Sequence, residues 1–219
     1  MSGMRKTIGG VFAAALLCGG ATAIAMAQGT PAPPRKVPPP KQTKPAPAAP
    51  EATPQTPDEK WKEAATPGEA HKVLENYLGR WKAHIVSRID PNRPSEETDG
   101  TSEGTPLMGG RFVQVVHKAT LMGQPFEGMM LIGYDNMAKK YVGEWIDNMG
   151  TSFIHYDGSY DKRIKRIMMG AHIVDPMTRQ PLKIRSVTAF VDPNNWTYEE
   201  FATPTGGREW QTLKITFSR

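Results

Sequence analysis

From Trp81 to the carboxyl terminus the chain is a run of short apolar segments broken by tight turns, and this pattern does most to limit what it can fold into. The segments are WKAHIVSRI, RFVQVVHKATL, FEGMMLIGYD, KYVGEWID, SFIHYDGSY, RIMMGAHIVD, LKIRSVTAFVD, WTYEEFAT and EWQTLKITFSR, and the connections between them are rich in Gly, Pro, Asp and Asn. Strands at such even spacing, with no helical crossover to join parallel neighbours, predict an antiparallel barrel or sandwich. The stretch EETDGTSEG before Met108 reads as a further strand of poor intrinsic propensity, which makes nine or ten.

One helix is expected before the first strand. Thr66, Pro67 and Glu69 have the spacing of an N-cap, a first-turn proline and a capping-box partner. Ala70, Val73, Leu74, Tyr77 and Leu78 then fall on one face, and Gly79 stands where a C-terminal glycine belongs. A short amphipathic helix placed there can cover one end of a barrel. Trp81, at the start of the first strand and in phase with Ala83 and Ile85, can fill the floor beneath it.

The first 57 residues have a different composition. Arg5 and Lys6 precede an apolar run from Ile8 to Ala25, and Ala25-Met26-Ala27 fits the small-x-small cleavage rule, so residues 1–27 read as a secretory signal peptide. The run is short and glycine-rich for a span that needs ~20 strongly apolar residues. Cys18 is the only cysteine. A lipoprotein signal at Cys18 is the lesser reading, because Leu17 stands where a small residue is wanted. Cleavage after Ala27 leaves a mature chain with neither a disulfide nor a thiolate nucleophile. Residues 28–57 hold 11 of the 20 prolines and no aromatic residue, and so predict a disordered, extended tether. The expected organisation is signal 1–27, tether 28–57 and barrel 58–219, in a periplasmic or secreted protein.

The net charge of +5 lies in the ends. Arg5 and Lys6 belong to the signal, and Arg35, Lys36, Lys41 and Lys44 stand against Glu51 in the tether, which leaves residues 58–219 neutral. The barrel therefore carries no footprint for nucleic acid. Membrane contact is expected only through an uncleaved or lipidated amino terminus, and nothing in the sequence specifies an oligomeric state.

Gly79-Arg80-Trp81 resembles the Gly-x-Trp signature at the first strand of lipocalins and their calycin relatives. A second resemblance covers residues 65–219. MGGRFVQ (Met108 to Gln114), MGQPFEGMMLIGYDNMAKKYVGEWIDNMGT (Met122 to Thr151), DPMT (Asp175 to Thr178) and the terminal KITFSR are similar to the domain-of-unknown-function family numbered 1579. This resemblance implies an all-β, up-and-down, calycin-like barrel with a short N-terminal capping helix. It implies no activity.

The candidate site rests on strand parity. If Asn148-Met149-Gly150 is a three-residue hairpin loop, then Tyr141, Trp145, Asp147, Phe153 and His155 share a face, joining aromatic walls to a carboxylate and an imidazole. A two-residue turn would instead pair Glu144 with His155 and split the set. The expected ligand-binding residues are Trp81, Arg111, Tyr134, Tyr141, Trp145, Asp147, Phe153 and His155, around an apolar or amphipathic small molecule. Two alternatives stand beside this: an isomerase- or hydratase-type enzyme using Asp147 and His155 as an acid/base pair, which is the less favoured, and a structural barrel filled by its own side chains. The five histidines show no ligand spacing, so no metal or other cofactor is expected, and there is no G-x-S-x-G elbow.

Overall fold

A computed structural model describes residues 56–219; the expected signal and nearly all of the expected tether lie outside the described residues. Ten antiparallel strands follow one another: β1 (Gly79–Ser87), β2 (Glu96–Leu107), β3 (Phe112–Leu121), β4 (Gln124–Asp135), β5 (Lys140–Asp147), β6 (Ile154–Asp161), β7 (Arg166–Val174), β8 (Pro181–Asp192), β9 (Asn195–Pro204) and β10 (Trp210–Ser218). Each pairs with its sequence neighbours, and β10 closes onto β1 from Lys82↔Ser218 to Ser87↔Leu213. The result is a closed up-and-down meander, the barrel that the resemblance implies. Closure removes both sheet edges.

Alternation decides what enters the core. Trp81, Ala83 and Ile85 are buried on β1, Val113 and Val115 on β3, Ile167, Met169 and Ala171 on β7, and Trp196 and Ala202 on β9. Strand β4 turns Met130, Ile132 and Tyr134 toward the core, while Leu131 is exposed. The poor strand β2 forms because its glycines permit close approach. A Cβ at Gly100 would lie 2.5 Å from the Lys118 carbonyl oxygen.

The helical segment differs from the expectation. Two T-P-x-E sequences precede β1, and it is the first that caps a helix. Thr56 and Glu59 form the capping box of α1 (Pro57–Ala65), with the Glu59 N–H donating to Thr56 Oγ1 at 3.3 Å and the Thr56 N–H to Glu59 Oε2 at 2.8 Å. Thr66 ends α1, and its hydroxyl donates back to the Lys62 carbonyl at 2.6 Å. Gly68 then caps the brief α2 (Glu69–Lys72), which tightens into a 3-10 turn, Val73–Tyr77. The expected apolar face is kept: Leu74 and Tyr77 are buried, and Ala70, Val73 and Leu78 pack against the core. Gly79 is the first residue of β1, where its φ of +94° makes the corner.

Helix α1 buries none of its residues. It is held by its terminal carbonyls, which a helix leaves unsatisfied. Arg111 donates to Ala65 O at 2.7 and 3.1 Å. Asn136 Nδ2 reaches Glu63 O at 2.9 Å, Ala64 O at 3.2 Å and Thr66 O at 2.8 Å. Asn136→Ala should therefore free α1 without opening the barrel. Hydrogen exchange at residues 57–65 is expected to accelerate while global stability falls by only about 1 kcal/mol. Unchanged exchange there would show that these bonds do not hold the helix.

Candidate functional site

The barrel has a helix end and an open end. At the helix end four aromatic rings make a floor. Trp196 stacks on Phe217 with centroids 3.5 Å apart and planes 11° apart, and Tyr77 and Trp81 meet Trp196 edge-on at 5.2 and 5.9 Å. The Trp81 indole donates to the Tyr77 carbonyl at 3.0 Å, and the Tyr77 hydroxyl to Thr188 Oγ1 at 3.2 Å. The last residue seals the corner outside: the Arg219 guanidinium lies 4.0 Å above the Trp81 ring and donates to Leu78 O at 2.6 Å. The indole N–H of Trp196 has no hydrogen-bond partner, an unmet cost of roughly 1–3 kcal/mol.

Above the floor is a cavity of about 300 Å³. Its wall is mainly apolar, with Ile85, Val115, Met130, Ile132, Met169 and Ile184 among its residues. Toward the open end it reaches Ile89, Glu96, Met122 and Asp147. The interior is hollow, which argues against a barrel filled by its own side chains.

Two polar groups interrupt the apolar wall. The first is Glu200 of β9. Tyr198 and Tyr156 donate to its Oε2 at 2.9 and 3.2 Å, and Thr212 donates to its Oε1 at 3.1 Å. Enclosure pushes the Glu200 carboxyl above the usual range, although the three hydroxyls oppose the shift. Burial and the neighbouring carboxylate likewise raise the phenols of Tyr198 and Tyr156. The second group is His117 of β3, whose Nδ1 lies 2.6 Å from Ser102 Oγ. Burial lowers its pKa to about 4, so it is neutral at pH 7. Glu200 and His117 both retain some accessible surface, as expected for wall residues that face a hollow interior.

Of the eight expected site residues, Trp145 and Asp147 line this cavity, and they touch: the Trp145 indole donates to Asp147 Oδ2 at 2.7 Å. Trp81 is in the floor. Tyr134 and Tyr141 pack at the helix end, 5.0 Å apart, with the Tyr141 hydroxyl on Ala70 O at 2.8 Å. Arg111 holds α1. The three-residue hairpin is corrected to a six-residue connection, 148–153, which gives the register Glu144↔His155. Asn148 continues along β4 instead of turning, since it exchanges backbone and side-chain bonds with Glu127 and Pro125. Phe153 is consequently 76% exposed. His155 points outward, with Nδ1 2.7 Å from Glu144 Oε1. Asp147 and His155 thus lie on opposite faces of the wall and form no acid/base pair.

Sequence reasoning missed Glu200, Tyr198, Tyr156, His117 and Ser102. The signal was parity: Glu200 is in phase with Trp196 and Tyr198, and His117 with Val113 and Val115. Among the described residues no group of three or more His, Cys, Asp or Glu is placed to hold a metal ion.

Comparison with one solved structure agrees with the architecture. Rv2717c from M. tuberculosis superposes with a TM-score of 0.51 at 14% identity, over 70% of this chain and 99% of its own. At that identity the likeness shows the fold alone. The S-type phycobiliprotein lyase CPES from Guillardia theta gives a TM-score of 0.46 at 10% identity, covering 76% of this chain and 98% of its own. No curated protein matches the sequence. The family model described as protein of unknown function DUF1579 matches residues 66–219, the helical turn and all ten strands, and this chain belongs to that family.

Proposed function

We propose that this protein binds an apolar or amphipathic small molecule inside its barrel, as an exported binding protein and not as an enzyme. The observation that carries the reading is the hollow, mainly apolar interior of about 300 Å³ with a few convergent polar groups on its wall. Ligand sites have this form: apolar walls supply affinity and a small polar set fixes orientation. The export reading rests on the charged, apolar and small-residue order of residues 1–27.

The test is native mass spectrometry of protein purified from the periplasm, with an absorption spectrum alongside. The expected result is an added mass that organic solvent extracts. A clean apo mass, together with no uptake of the neutral fluorophore N-phenyl-1-naphthylamine, would overturn the proposal.

A further inference from the structure

Glu200 is a carboxyl inside an apolar cavity with no cation beside it. Its partners are three hydroxyls, from Tyr156, Tyr198 and Thr212. Hydroxyl donors soften the cost of burying the charge but do not neutralise it. The one cation on the rest of the wall, Lys118, is turned to solvent. The wall's other ionisable groups are Glu96 and Asp147 toward the open end and the neutral His117. Lys118 is largely exposed, with Nζ 3.6 Å from Glu127 Oε2. Asp147 is already bonded to the Trp145 indole and to the Met149 N–H. The interior therefore carries carboxylates from β5 and β9 and no counter-charge.

We propose that the ligand is a cationic amphiphile, an amine whose ammonium group sits on Glu200 while its hydrocarbon body fills the apolar cavity. This rests on the binding reading above and names the ligand's chemistry. An ammonium supplies the missing positive charge where the low dielectric makes the attraction strong. An anionic headgroup would meet carboxylates without a compensating donor, and that repulsion is what discriminates between the two. Tyr156, Tyr198 and Trp145, which also line the cavity, offer ring faces suited to a cation. The cavity of about 300 Å³ is at the small end of the range for ligand pockets, so the hydrocarbon body is short.

The experiment displaces N-phenyl-1-naphthylamine from the purified protein with decylammonium, decanol and decanoate at pH 7.5, each below its micellar concentration. Decylammonium is expected to displace the probe at a concentration at least tenfold lower than decanoate, with decanol between them. In Glu200→Gln the advantage of amine over alcohol should shrink to threefold or less. Decanoate equal to or better than decylammonium would overturn the inference and leave the binding reading intact, and that comparison needs no variant. An amine advantage that survives Glu200→Gln would also overturn it. Failure of the wild-type protein to take up the probe would sink the binding reading and this inference with it.

Discussion

Gly104→Ala is expected to lower the melting temperature by about 6–12 °C, the equivalent of roughly 3 kcal/mol for a domain of this size. A Cβ at Gly104 would overlap the Tyr77 carbonyl oxygen and lie 2.7 Å from its carbon and 3.2 Å from Leu78 Cα. These are backbone atoms of the turn that closes the barrel, so no side-chain rotation relieves the clash. That carbonyl also accepts the Trp81 indole N–H. If the turn lifts, the bond breaks and the Tyr77 ring leaves its edge contacts with Trp196 and Phe190. Gly170→Ala is the control, since its Cβ would have no neighbour closer than Ile184 O at 3.7 Å. It should be near neutral, because that is ordinary van der Waals contact. Thermal unfolding followed by circular dichroism distinguishes the two. A Gly104→Ala protein that melts within 2 °C of wild type would show that the turn is not seated on β2 as described.

Local rules made the strands legible. Val113, Val115 and the residues between them alternate, and Asp175 to Thr178 is a turn on sight. The corner was legible because Gly-x-Trp combines a left-handed glycine with a ring large enough for a floor. The capping box was misplaced because Thr56 and Thr66 open the same T-P-x-E pattern. Gly68, a weak helix former, sits inside the second. The site was harder because it depends on non-local facts. The Asn148 side chain, accepting from the backbone N–H of Glu127 21 residues away, sets the end of β5, and the path of the following connection decides the face on which His155 emerges. Glu200 adjoins Glu199 in a run that reads as a solvated pair. Only its phase with Trp196 and Tyr198 separates the inner carboxyl from the outer one, which bonds Gln211 at 3.2 Å.

Acidification is the second large effect, and it isolates His117. Its folded pKa is about 4 against an ordinary 6.5. Between those values the unfolded chain binds a proton that the folded chain refuses. Stability is therefore full above pH 6.5 and falls as pH drops toward 4, by ~3 kcal/mol if the whole difference is expressed. His71, also lowered by burial, acts in the same direction. The exposed carboxylates that turn bonds hold low, such as Asp135 and Asp175, act below their ordinary 3.8 and leave this window alone. Glu200 has the opposite sign. Its raised folded pKa means that the stability it confers is present below 4.5 and is lost as pH rises through the folded value. Guanidinium unfolding from pH 4.5 to 8 should then show an acid limb that His117→Gln flattens, since Gln can still accept the Ser102 hydroxyl, and an opposing loss of stability as pH rises above 4.5 that Glu200→Gln removes. An acid limb unchanged in His117→Gln would mean that His117 is protonated or solvated in the folded barrel, and the neutral, apolar wall drawn for it would be wrong. If both limbs respond, the barrel holds His117 and Glu200 in its interior at a cost in stability, as a binding site does and a filled structural core does not.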